Sequence, residues 1–91
     1  MIIFPLELNF MWDEGPETNT VIIISESDVT VTDAIGIIKA AHDKLCEQDR
    51  EDENSLYGTN GRNYETLMNY ICDEFYPDWS WRPVKDAVDL Y

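Results

Sequence analysis

Residues 2–12 read IIFPLELNFMW, and apolar side chains recur at every second position of this stretch. A period of two predicts a β-strand with one buried face. Pro5 lacks the amide hydrogen that a paired strand donates, so we expect the strand to lie at a sheet edge or to begin irregularly. The positions expected to face the core are Ile2, Phe4, Leu6, Leu8, Phe10 and Trp12.

A second strand is predicted at residues 20–25, TVIIIS, which are β-branched and apolar on both faces. Between the two strands, residues 13–19 read DEGPETN, and this composition is typical of turns. We therefore expect an amino-terminal hairpin whose loop has roughly seven residues.

The first helix is predicted to run from a cap at Thr30 or Thr32 to about Gln48. Gly36 and Ala40 lie to one side of its apolar stripe, where small side chains would let a neighbouring element approach closely. The acidic run Glu47–Glu53 is expected to fray the helix into a solvated linker, because adjacent like charges repel. The stripe itself, at spacings of three and four, consists of Val31, Ala34, Ile35, Ile38, Ala41, His42 and Leu45.

A second helix is predicted from a cap at Asn63 to Phe75 or Tyr76, where Pro77 ends it. The preceding residues 57–63, YGTNGRN, predict a turn. The following residues 78–83, DWSWRP, are aromatic and are expected to be irregular. Pro83 then predicts a short helix through Leu90, with a short strand as the alternative. The apolar stripe of the second helix consists of Tyr64, Leu67, Met68, Ile71 and Phe75.

Together these elements predict an α+β fold. A small antiparallel β-sheet, built on the amino-terminal hairpin, is packed by two main helices plus a short carboxy-terminal element. A chain of 91 residues provides one modest hydrophobic core, so residues 1–91 are expected to form a single domain.

The chain is strongly acidic, with 19 Asp and Glu against six Lys and Arg and a net charge of -13. Nucleic acid and anionic membranes repel such a chain, whereas a cationic protein surface attracts it. The sequence shows no signal peptide and no apolar run of the ~20 residues that span a bilayer. We therefore expect a cytoplasmic protein, in which Cys46 and Cys72 are reduced.

No motif for catalysis or cofactor binding is present in the sequence. It contains neither glycine-rich phosphate-binding motif, and its one histidine, His42, lies in an apolar stripe where a packed residue is expected. His42, Cys46 and Cys72 do not have the spacing of known metal sites, and a Cys46–Cys72 disulfide is the less favoured alternative to free thiols. We therefore predict a binding protein and not an enzyme, with no catalytic residues, cofactor or metal.

Acidic and large aromatic residues concentrate between residues 43 and 81. Carboxylates on a folded surface can take the place of phosphates in a basic groove, since arginine pairs with both groups. Trp and Tyr side chains often anchor such interfaces. The alternative is a solvated polar face with half-buried tryptophans. The predicted partner-binding residues are Glu47, Asp49, Glu51, Asp52, Glu53, Glu65, Asp73, Glu74, Asp78, Trp79 and Trp81.

In size, charge and its mixture of acids and aromatics, the chain resembles small acidic inhibitors from phages and mobile elements. These are of the anti-CRISPR and anti-restriction type, and several of them mimic DNA. The resemblance implies an inhibitor that binds the basic nucleic-acid-binding surface of a CRISPR effector, nuclease or restriction enzyme and blocks it by competition.

A second, local resemblance covers residues 61–71, GRNYETLMNYI, together with Tyr57 and Gly58. This segment resembles the entry to the second helix of barstar-type ribonuclease inhibitors. It implies a toxin-neutralising immunity protein whose acids plug a ribonuclease active site. A small accessory or structural phage protein is a further alternative. The oligomeric state stays open, with a homodimer among the options.

Overall fold

The computed structural model describes residues 1–12, 15–52 and 54–84, and the expected α+β fold is confirmed. Three strands form one antiparallel sheet in the order β1-β2-β3, and the helices cover one of its faces. The elements in chain order are strand β1 (Ile2–Trp12), strand β2 (Gly15–Ser25), helix α1 (Val31–Glu51), helix α2 (Leu56–Asn60), helix α3 (Tyr64–Tyr70), a π-helical turn (Ile71–Phe75) and strand β3 (Trp79–Pro83).

The two faces of the sheet differ as the alternation in β1 predicts. Phe4, Leu8 and Phe10 are buried beneath the helices, on what we call the inner face. Ile3 and Pro5, on the outer face, are exposed. β1 lies at a sheet edge, as Pro5 indicates, and β2 is the central strand.

The core lies between the inner face and the helices. α1 contributes Ala34, Ile38, Ala41 and Leu45, all of them buried residues from the predicted stripe. Val31 and Ile35 from the same predicted stripe are exposed, because the buried line of α1 is narrower than expected. The carboxy-terminal helices contribute Leu67, Met68 and Ile71, which are fully buried.

The predicted seven-residue loop is wrong, since Gly15 to Asn19 belong to β2. These residues pair with Trp12 to Leu8 of β1, and the Thr18 hydroxyl donates to Asn9 Oδ1 over 2.8 Å. Pro16 is accommodated because β3 pairs only with Val21–Ser25, so this end of β2 has one free side.

The predicted linker at Glu47–Glu53 is also wrong, because α1 continues to Glu51. Asp49 accepts hydrogen bonds from Arg62 Nε (2.9 Å) and from the Ser55 hydroxyl (3.1 Å). These bonds attach the last turn of α1 to the chain that follows, and they offset the repulsion between neighbouring carboxylates. Where a turn was predicted before Asn63, the short helix α2 forms with Ser55 as its cap.

The residues predicted to be irregular, 78–83, contain β3. Trp79 pairs with Ser25 and Trp81 pairs with Ile23, so both indoles lie on the inner face of the sheet. The two tryptophans are two residues apart, which is the period of a β-strand. Most of the predicted short helix from Pro83 to Leu90 follows Val84 and therefore lies outside the described residues.

α3 begins at Asn63 as predicted, since Asn63 Oδ1 accepts the amide of Thr66 over 2.8 Å. The helix then widens into the π-helical turn, where the Tyr76 amide donates to the Ile71 carbonyl over 2.9 Å. The wider turn rotates the residues that follow Ile71. As a result Phe75, predicted to be buried, is 43% exposed.

Among the described helices, none combines the length and apolar character needed to cross a membrane.

Candidate functional site

A cleft of about 730 Å³ lies between the first half of α1 and the chain that joins the π-helical turn to β3. Three carboxylates line it, from Asp28, Asp33 and Asp78. Ile37, Tyr76 and Trp79 contribute to its apolar lining. We call this the acidic cleft, and it combines negative charge with aromatic surface.

Local hydrogen bonds position the segments that carry these carboxylates. Asp78 accepts a hydrogen bond from the Ser27 hydroxyl, which ties the loop after β2 to the loop before β3. The Asp33 amide donates to the Thr30 hydroxyl at the start of α1 over 3.1 Å. Asp33 therefore lies in the first turn of α1, where the helix dipole favours an anion.

The two tryptophans of β3, predicted as partner-binding residues with half-buried tryptophans as the alternative, both lie at least partly inside the fold. Trp79 is only 4% exposed and stacks on Tyr76, with ring centroids 5.1 Å apart. Trp81 is partly buried, packs edge-on against Tyr64 and donates its indole N–H to Asn69 Oδ1 over 2.9 Å. β3 directs both indoles to the inner face, where Trp79 is buried and Trp81 is half-buried. Trp79 still contributes to the lining of the acidic cleft.

Gly36 and Ala40 also line the acidic cleft. The expectation that another element approaches them closely is wrong, because a Cβ atom placed on Gly36 would meet no atom within 4 Å. The small side chains therefore leave one side of α1 open instead of packing it against a neighbour.

A second cavity, of about 520 Å³, lies beside α2 and α3, and we call it the polar groove. Three predicted residues, Glu65, Asp73 and Glu74, line it together. Asn60 and Asn69 add amide groups, so the lining is mostly polar.

The π-helical turn connects the two cavities. Asp73 and Glu74 line the polar groove, whereas Tyr76 and Asp78 line the acidic cleft. Phe75 lies between them in sequence, with the Lys44 ammonium 5.1 Å from its ring centroid. Residues 73–78 thus form a continuous, mainly acidic and aromatic segment that contributes lining residues to both cavities.

The other predicted residues line neither cavity. Glu47, Glu51 and Asp52 are exposed at the carboxy-terminal end of α1, and Glu53 lies outside the described residues. Asp49 forms an ion pair with Arg62, and this hydrogen-bonded guanidinium holds the pKa of the carboxyl below its ordinary value. Its charge is therefore already matched within the chain.

Asp28, Asp33 and Tyr76 are the site residues that the sequence did not identify. Asp28 and Asp33 are far from Asp78 along the chain, and only folding brings them together. The usable signal was the pair Gly36 and Ala40, which marks the open side of α1.

A half-buried cluster joins α1 to α2 on another part of the surface. A hydrogen bond of 2.8 Å connects His42 Nδ1 with the Tyr57 hydroxyl, and Cys46 Sγ lies 3.6 Å from His42 Nε2. Burial lowers the pKa of His42 and raises the pKa of the Cys46 thiol. Burial also raises the pKa of Cys72 to about 11. Both cysteines are free and remain neutral thiols near pH 7, which disfavours a nucleophilic role.

Across residues 1–12, 15–52 and 54–84, no three His, Cys, Asp or Glu side chains converge as metal ligands would.

Charge is divided unequally between the two sides of the molecule. Among the strand residues whose side chains alternate to the outer face, Glu7 is the only acid and Arg82 the only base. The six carboxylates of the acidic cleft and the polar groove lie on the helices or on the loops beside them. The described acids therefore concentrate on the helical side.

No known family, curated protein or solved structure matches this chain. Its function must therefore be inferred from the chemistry of the site itself.

Proposed function

We propose that this protein is an inhibitor and not an enzyme. It binds the basic nucleic-acid-binding surface of a CRISPR effector, nuclease or restriction enzyme and blocks that surface by competition. The acidic cleft and the polar groove form the contact surface. The observation that supports this most strongly is the clustering of six carboxylates in two cavities of the helical side, one of which is also lined by Tyr76 and Trp79.

The acidic cleft suits an arginine or lysine side chain from the partner. A guanidinium group forms paired hydrogen bonds with a carboxylate, as it does with a phosphate. It also stacks on aromatic rings, and the partly buried Tyr76 provides such a ring in the wall of the cleft. A basic residue that normally contacts nucleic acid therefore finds both of its preferred contacts here.

The net charge of the chain assists the encounter. A charge of -13 attracts a cationic surface over distances longer than a hydrogen bond and raises the association rate. Because salt screens this attraction, the association rate should fall steeply between about 50 mM and about 500 mM salt.

The test is a competition assay in which labelled DNA is bound to a panel of purified CRISPR effectors, restriction enzymes and nucleases. The added protein should displace DNA from at least one of them, as measured by fluorescence anisotropy. Failure to displace DNA from any member of the panel would contradict the proposal.

Two matched variants locate the contact surface on the sensitive partner. The cleft variant is Asp28→Asn, Asp33→Asn, Asp78→Asn, and the control variant is Glu47→Gln, Glu51→Gln, Asp52→Asn. Each removes three negative charges, so they differ in position and not in total charge. The cleft variant should lose about tenfold or more in inhibitory potency, and the control variant much less. Equal losses would assign the effect to net charge alone.

A further inference from the structure

The outer face of the sheet carries an apolar patch beside its polar residues, and this patch is uncovered in the described structure. Ile3 is 62% exposed, and it pairs with Ile24, while the exposed Pro5 pairs with Ile22. Met11 lies on the same face and is also exposed. An exposed apolar patch on one face of a sheet often marks a surface that packs against another protein layer.

We propose that this outer face packs against the same face of a second copy. The result is a two-fold symmetric dimer in which the two sheets form the centre and the acidic helical layers lie outside. This contact is independent of the acidic cleft and the polar groove.

The free edge of β1 is poorly suited to pairing with a strand of a second copy. The Val84 amide donates to the Thr20 carbonyl, so the backbone of Thr20 points towards β3 and away from its β1 partner Glu7. Odd-numbered residues of β1 therefore direct their backbone groups to the free edge. Pro5 is one of them, and it has no amide hydrogen to donate. A second copy is thus expected on the face of the sheet and not at the edge of β1.

Two charged residues on the outer face complement each other across such a dimer. Glu7 pairs with Thr20, and Arg82 pairs with Ile22, so the two side chains lie on opposite edge strands in neighbouring rows. The only ion pair among the described residues is Asp49–Arg62, which leaves Glu7 and Arg82 available. A two-fold axis parallel to the strands places β1 of one copy over β3 of the other. Each Glu7 then lies beside the Arg82 of the opposite copy.

The charge distribution favours a second copy over other occupants of this face. The strand residues of the outer face have no net charge, because Glu7 and Arg82 balance. A cationic protein finds six carboxylates in the two cavities of the helical side, but only one acid among the strand residues of this face. Packed sheets lie ~10 Å apart and helices cover their far sides, so the acids of the two copies are separated by more than the ~8 Å Debye length. Their mutual repulsion is therefore largely screened at physiological salt.

The size of the face predicts a weak dimer. Strands of this length and spacing outline about 35 Å by about 14 Å, which is smaller than the ~800 Å² per partner of a typical stable interface. Association should therefore depend on concentration between about 1 µM and about 1 mM.

Sedimentation equilibrium of the full chain over this range is the first test, with two matched Ile→Glu variants. Ile3→Glu places a charge on the outer face, whereas Ile35→Glu makes the same change at an exposed site on α1. Ile3→Glu should weaken dimerisation about tenfold or more and leave the melting temperature of the monomer nearly unchanged. Ile35→Glu should have little effect on the monomer–dimer equilibrium. A wild-type chain that stays monomeric throughout, or equal effects of both variants, would overturn the proposal.

Charge reversal tests the symmetry of the contact. Glu7→Arg and Arg82→Glu should each weaken self-association, because each creates two like-charge contacts across the dimer. An equimolar mixture of the two variants should restore association, since both contacts in the mixed dimer join opposite charges. Failure of the mixture to recover would exclude the proposed orientation. Rising salt should preserve or strengthen the wild-type dimer, whereas it should weaken the binding of the inhibitor to its target. Failure of one proposal is therefore distinguishable from failure of the other.

Discussion

His42 is held between two aromatic residues in the half-buried cluster. Its ring packs edge-on against Phe10, and its Nδ1 is hydrogen-bonded to the Tyr57 hydroxyl. Burial lowers its pKa below the ordinary value of 6.5, against an opposing effect of Asp43. The folded state therefore favours the neutral imidazole more than the unfolded state does. The resulting stability is present above pH 6.5 and is lost as the pH falls through the lower pKa of the folded protein.

This predicts a pH-dependent stability that depends on His42. On going from about pH 7.5 to about pH 5.5, the melting temperature of the wild type should fall more than that of His42→Gln. The variant serves as the control for titration of the carboxylates, which both proteins share. Parallel melting curves for the two proteins across this range would refute a role for His42.

Gly36 is a position at which a substitution is expected to stabilise α1. It lies within α1 and has open space where a Cβ would project. Gly36→Ala should therefore raise the free energy of unfolding by about 1 kcal/mol, measured by urea denaturation. Ala40→Gly is the reverse control and should lower it by about the same amount. A destabilising effect of Gly36→Ala would show that the cleft is not open at this position.

At the scale of the elements, α3 depends on its amino-terminal cap. Asn63 Oδ1 accepts hydrogen bonds from both the amide and the hydroxyl of Thr66. Asn63→Ala should lower the free energy of unfolding by about 1 kcal/mol, and Asn63→Asp should retain most of the stability. Asn60→Ala, which removes a neighbouring side chain without a capping role, is the control. Equal losses at positions 60 and 63 would contradict the assignment of the cap.

The elements also show where prediction from the sequence succeeds. The alternation of residues 2–12 and the cap at Asn63 are local patterns, and both elements form where expected. The end of α1 was predicted too early, at about Gln48 instead of Glu51, because the ion pair Asp49–Arg62 joins residues from different elements. The π-helical turn was missed for a similar reason, since the residues at 71–75 fit a regular helix equally well.

For the whole molecule, the net charge of -13 implies self-repulsion in the compact state. Raising salt from about 20 mM to about 500 mM should therefore increase the melting temperature. The double variant Glu47→Lys, Glu51→Lys reverses two exposed charges and should show a smaller increase. It should also melt higher than the wild type at low salt. A melting temperature that does not respond to salt would mean that the acids are too dispersed to repel one another.

The amino-acid sequence by itself determined the α+β class, the hairpin, the two main helices and the strongly acidic character. These follow from periodicity, capping and composition, each of which is readable over a few residues or over the whole chain. Only the tertiary structure decided which acids share a cavity, that Trp79 is buried, and that the strand residues of one sheet face carry no net charge. Strand register and helix packing set these properties, because they join residues such as Asp28 and Asp78 that no local pattern connects.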